Sequence, residues 1–204
     1  MTAVSVWLSA VILWWTGWRR EMAEGVPQRI ITLFLVSWPF AVRTSIALEW
    51  GGHELALNGA LPLTIGCAVA GAIRLDGVKW GASVAAGMLI ASIVLFLDKI
   101  VELLPGASDA NPIGIEAALL AVLTPLLLRT APEQGVALTA GLVLAEAASV
   151  YWIVQSGWKA TAGGWDWSAR WWLAFMGARL VSAVALWIPS FAKNRLWRKG
   201  GERS

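Results

Sequence analysis

Histidine and cysteine occur once each in 204 residues, as His53 and Cys67. Zinc and iron sites draw on clusters of imidazole and thiolate ligands, so one of each on separate segments excludes an ordinary site for either metal. Carboxylates alone can hold Ca²⁺ or Mg²⁺, but no acidic spacing of that kind occurs, and no metal or other cofactor is expected. A single cysteine also excludes an intramolecular disulfide. Charge is scarce: Asp, Glu, Lys and Arg make up 14% of the chain, against about a quarter in soluble domains. The nucleophile elbow, HExxH, the P-loop and the dinucleotide fingerprint are all missing, so the chain reads as a non-enzyme. A Schiff-base chromophore would need a lysine in the last apolar stretch, where Arg179 stands instead. The apolar runs are continuous rather than alternating, which argues against membrane barrel strands.

Apolar length is what the chain has in excess, at 58% of residues. A helical span needs about 20 mostly apolar residues. Seven stretches qualify or come near: about 3–18, 30–49, 55–75, 80–104, 113–128, 135–155 and 167–190, followed by a basic tail at 191–204. The expected fold is therefore all-α, a polytopic transmembrane bundle of seven spans forming a single membrane domain. The opening run lacks a basic segment before it, and Arg19 and Arg20 follow it. It reads as a retained first helix rather than a cleaved signal peptide.

Charge placement sets the orientation. With the N-terminus outside, most of the 16 Lys and Arg residues fall on the inner side, including Arg19, Arg29, Arg74, Lys79, Arg129 and the cluster from Lys193 to Arg203. Glu49, Glu54, Asp109, Glu116 and Asp166 gather towards the outer face. This positive-inside pattern predicts a cytoplasmic C-terminus and fits a bacterial cytoplasmic membrane. The tail is expected to meet anionic lipid headgroups. A membrane protein partner is compatible with this pattern, and nothing indicates nucleic acid. Fifteen tryptophans support the frame, with Trp7, Trp14, Trp15, Trp18, Trp50, Trp80, Trp152, Trp171, Trp172 and Trp187 near span ends. Indole rings favour the headgroup level, and Trp38, beside Pro39, is the mid-span exception.

Ionisable groups at membrane depth cost about 2.5–3.5 kcal/mol each to insert, so they are the natural candidates for function. Glu146 and Arg179 fall near the middle of spans six and seven and are expected to pair. Thr139 and Ser149 extend a thin polar stripe along the Glu146 side, and Ser182 lies near Arg179. A second set lies nearer the outer face: Arg43 in span two, with Asp98 and Glu102 in span four. The last two are four residues apart and share a helix face. These groups form either structural ion pairs that fix helix register or a relay for protons or small cations. Small residues at Gly81–Gly87 and Gly66–Ala72 predict close helix packing within the monomer.

The opening VWLSAVILWWTGWRR, the chain length and the crowded tryptophans from Trp7 to Trp18 resemble the YphA-type small membrane proteins of spore-forming Firmicutes. That resemblance implies a role around sporulation or the cell envelope and brings no active-site residues with it. The reading it favours is a non-enzymatic envelope or sporulation-associated accessory or assembly factor. The alternative is a small-solute, proton or cation transporter or channel working through the buried charges.

Overall fold

The computed structural model describes residues 2–19, 22, 24–50, 53–103 and 112–200, with backbone alone at 50, 53, 102 and 186–200. Seven helices carry most of these residues: α1 (Thr2–Thr16), α2 (Gln28–Ala41), α3 (Ala60–Ala72), α4 (Gly77–Leu103), α5 (Pro112–Leu127), α6 (Ala131–Gln155) and α7 (Trp165–Gly200). The mostly helical fold agrees with the expected class, but the class was drawn too narrowly. Three strands, β1 (Ser45–Trp50), β2 (His53–Asn58) and β3 (Ala160–Ala162), form one sheet in the order β1-β2-β3.

The strands interrupt the expected spans at 30–49 and 55–75. Each of these is a short helix joined to a six-residue strand rather than one long helix. Asn58 makes the break. Its Nδ2 donates to the Val42 carbonyl and its Oδ1 accepts the Ala60 N–H, both at 2.9 Å, so one buried side chain ties the end of α2 to the start of α3. β1 and β2 pair antiparallel from Ser45↔Asn58 to Trp50↔His53, and β2 pairs parallel with β3 from Leu55↔Ala160 to Leu57↔Ala162.

The expectation of seven spanning helices is also revised. Among the described residues two helices are long and apolar enough to cross a bilayer, Gly77–Val101 and Ala131–Gln155. Thr2–Thr16, Ala60–Ala72 and Pro112–Leu127 are apolar but shorter. α7 runs past the expected end at 190 as far as Gly200, so most of the predicted tail is helical. The basic side chains of that tail and the 104–111 connection lie outside the described residues.

Helix starts follow local chemistry. Glu133 Oε2 accepts the Thr130 N–H at 3.1 Å, and Pro132 occupies the first turn, so α6 begins at Ala131 rather than at 135. Thr64, Ser83, Ser92 and Thr124 donate their hydroxyls to carbonyls four residues back in their own helices. This satisfies them without a partner element.

The bundle has two distinct ends. One carries the sheet. The other, the basic end, carries the connections α1–α2, α3–α4 and α5–α6 with Arg19, Arg29, Arg74 and Arg129. α4 and α6 make the most extensive helix contact. A Cβ added at Gly87 would lie 3.1 Å from the Ala137 carbonyl oxygen, so the small-residue face of α4 does let α6 approach closely. Gly71 similarly faces Pro132, whereas Gly66 and Gly81 face open space.

Three tryptophans expected at the interface belong to the core. Trp14, Trp171 and Trp172 are buried. Trp38 and Trp172 meet edge to face at 5.6 Å, Trp171 and Trp172 at 5.1 Å, and Phe34 lies against both Trp171 and Trp172. Trp15, Trp80 and Trp152 are exposed, as an interfacial role requires. Trp172→Ala should therefore cost roughly 3–5 kcal/mol, while Trp152→Ala should stay within about 0.5 kcal/mol. Thermal unfolding of the two variants in detergent measures the contrast, and equal losses would contradict the assignment.

Candidate functional site

The register of α6 against α7 decides which polar groups meet. Trp167 Nε1 donates to the Leu142 carbonyl at 3.3 Å, Trp171 Nε1 to Thr139 Oγ1 at 3.0 Å, and Arg179 Nη1 to Gln134 Oε1 at 3.2 Å. The helices are antiparallel, so Arg179 is level with Gln134 at the basic end. Glu146 stands three turns further along α6, about 18 Å away at 1.5 Å per residue. The expected Glu146–Arg179 pair is therefore replaced by two separate arrangements. Span midpoints misplace Arg179 because α7 runs on to Gly200.

Glu146 lies opposite the segment that precedes α7. Its Oε1 accepts the Gly163 N–H at 2.9 Å, which pins β3 against α6. Gly163 has φ of +75°, a left-handed conformation that favours glycine and turns the chain from β3 into α7. Thr139 of the expected polar stripe accepts from Trp171 and so serves packing.

At the basic end, Gln134 organises the polar groups. Its Nε2 donates to the Leu128 carbonyl at 3.0 Å and to Ser182 Oγ at 2.9 Å, while its Oε1 accepts from Arg179. Glu24 lies 3.9 Å from Arg179 Nη2 and accepts the Ala131 N–H at 3.2 Å.

A charged cluster lies towards the sheet end and joins three helices. Arg170 of α7 places Nε 2.9 Å from Glu116 Oε2 of α5 and Nη2 3.8 Å from Asp98 Oδ1 of α4. The Arg170–Glu116 contact has a hydrogen-bond distance without hydrogen-bond direction, so it is a charge pair. Both Glu116 carboxylate oxygens and Arg170 Nε lack a hydrogen-bond partner. The Glu116 side chain is 2% exposed and that of Asp98 32%, so the cluster is closed at α5 and opens at α4.

Of the expected second set, Asp98 belongs to this cluster. Arg43 is exposed between α2 and β1, and among the described residues no ion pair joins it to Asp98. The Glu102 and His53 side chains lie outside the described residues. Glu116 was expected near the outer face; it lies three residues inside its expected span, as Arg170 does in the last one, and the structure buries Glu116 against Arg170. The available signal was opposite charge at matching depth on two helices. On the sheet, Lys159 pairs with Glu54, and this hydrogen-bonded ammonium holds the exposed Glu54 carboxyl below the usual carboxylate range.

One turn towards the basic end from Asp98, Glu116, Glu146 and Arg170, each helix carries a buried apolar residue: Val94, Leu120, Leu142 and Ala174 respectively. Among the described residues no group of three or more His, Cys, Asp or Glu is arranged to hold a metal ion. No protein-family model, curated protein or solved structure matches the chain.

Proposed function

We propose that the chain is a multi-pass integral protein of a bacterial cytoplasmic membrane, acting as a non-enzymatic accessory or assembly factor of the cell envelope. Membrane insertion is supported by large apolar side chains left exposed on the two long helices, among them Met88, Leu89 and Phe96 of α4 and Leu144, Trp152 and Ile153 of α6, a surface suited to an apolar medium. The sheet end is outside and the basic end inside, in keeping with the positive-inside rule. The short helices bear on the seven-span reading. α2 and α3 each gain reach from an adjoining strand, at about 3.3 Å per residue. The tryptophan-rich first helix, with its YphA-type resemblance, favours an envelope or sporulation-associated process.

The observation that carries the non-conducting reading is that the side chain one turn inward on each of these helices is apolar and buried, at Val94, Leu120, Leu142 and Ala174. In liposomes loaded with a pH-sensitive dye, the reconstituted protein should give no more proton or cation flux than protein-free vesicles. A second reading, ion-coupled transport from the outer side, draws support from Glu116, whose buried oxygens lack hydrogen bonds beside a half-open Asp98. Flux above background that disappears in Glu116→Gln would replace the first reading with the second.

A further inference from the structure

An apolar cleft of about 70 Å³ opens near the basic end between α2, α3, α6 and α7. Its walls include Ile31, Phe34, Cys67 and Phe175. Its depth comes from Gly71 and Gly135, where a Cβ would reach Pro132 at 3.7 Å and the Phe175 ring at 3.6 Å. A dry apolar cavity of about 150 Å³ holds a benzene ring, so this smaller, open-sided space fits one hydrocarbon chain better than a ring system.

Two exposed arginines stand beside lining residues at the basic end: Arg74 three residues after Gly71, and Arg129 two before Ala131. Arg29, two residues before Ile31 on α2, lies about 200° round that helix from the lining face. Arg179 stands one turn beyond Phe175 on α7. Among the described acids of this end, Asp76 is exposed in the α3–α4 connection, and the other two are engaged. Glu24 accepts from Ala131 and faces Arg179, while Glu133 accepts the N–H groups of Arg129 and Thr130.

We propose that this cleft binds one acyl chain of an anionic phospholipid from the inner leaflet, with the headgroup held by Arg74 and Arg129. The apolar walls take the chain and the guanidinium groups take the phosphate, a match of shape and charge that a neutral lipid lacks. The assignment rests on the membrane orientation proposed above and adds a ligand that the orientation does not require.

Cys67, the only cysteine in the chain, lines the cleft and reports on its occupancy. The test follows alkylation of Cys67 by N-ethylmaleimide in purified protein in a neutral detergent, titrated with dioleoyl phosphatidylglycerol, dioleoyl phosphatidylcholine or inorganic phosphate. Phosphatidylglycerol should slow alkylation several-fold, and the other two should leave it unchanged. Substituting Arg74 or Arg129 by Gln should each raise the half-protecting phosphatidylglycerol concentration about fivefold, with the lipid-free rate unchanged. Equal protection by both lipids, protection by phosphate alone, or no protection at all would each overturn the proposal. Because the measurement is made in detergent, these outcomes leave the membrane and non-conducting readings standing, and the flux experiment tests those separately.

Discussion

Arg170→Met should lose roughly 3–5 kcal/mol of stability, the range for breaking a buried charge pair from one side. The substitution keeps most of the side-chain volume and removes the only cation facing Glu116 and Asp98 among the recorded ion pairs of the described residues. Glu116 would then be left at 2% exposure without its cation, and would have to hold an unpaired charge or take up a proton, at a cost in either case. The double variant Arg170→Met with Glu116→Leu should recover much of the loss, because replacing both partners by apolar groups removes the stranded charge. Asp98 is exposed enough to be hydrated in that background. Monodispersity and thermal unfolding in detergent measure both steps. A single variant as stable as the parent would show that the pair has no structural role.

A smaller but clear loss is expected from Gly141→Ala, through crowding. Its Cβ would stand 2.7 Å from the Gly87 carbonyl oxygen and 2.6 Å from Ile90 Cγ2. Helix propensity favours the change by about 1 kcal/mol, but overpacking typically costs about 1–3 kcal/mol. Here one of the crowded atoms belongs to the backbone, which cannot rotate away, so the net effect should be a clear destabilisation. Gly87→Ala, whose nearest contacts are at 3.1 Å, should be milder. Thermal unfolding orders the pair. The expected order is parent, then Gly87→Ala, then Gly141→Ala, and a Gly141→Ala protein matching the parent would contradict the α4–α6 packing.

The helices were legible in the sequence where apolar length alone defines them. Expected bounds of 80–104 and 113–128 became Gly77–Leu103 and Pro112–Leu127. The strands were missed because SIALEW and HELALN are as apolar as a helix end. The opposing signal was present. Two six-residue segments flank Gly51-Gly52, and HELALN alternates Leu55 and Leu57 with Glu54, Ala56 and Asn58, a hairpin pattern. Apolar content won over period because the runs were judged by length.

The candidate site was less legible, for a different reason. Glu146, Arg179 and Asp98 were found because buried charge is rare in so apolar a chain. Their partners depend on helix register, which composition does not encode. The bonds from Trp167 and Trp171 to α6 set that register, and Trp171 looks like an interfacial anchor in the sequence. Glu116 and Arg170 were overlooked because a charge near a span end is usually solvated, whereas here the ends of α5 and α7 face each other.

The pairing of β2 with β3 joins residues 55–57 to residues 160–162 across four intervening helices. Synthesis runs from the N-terminus, so the hairpin of β1 and β2 is made long before the strand that completes it. Until Ala160–Ala162 emerges, one edge of β2 carries unsatisfied amide and carbonyl groups, a template for the wrong neighbour. Glu146 likewise waits for the Gly163 N–H. The sheet can therefore close only after six of the seven described helices have been made, just ahead of the last.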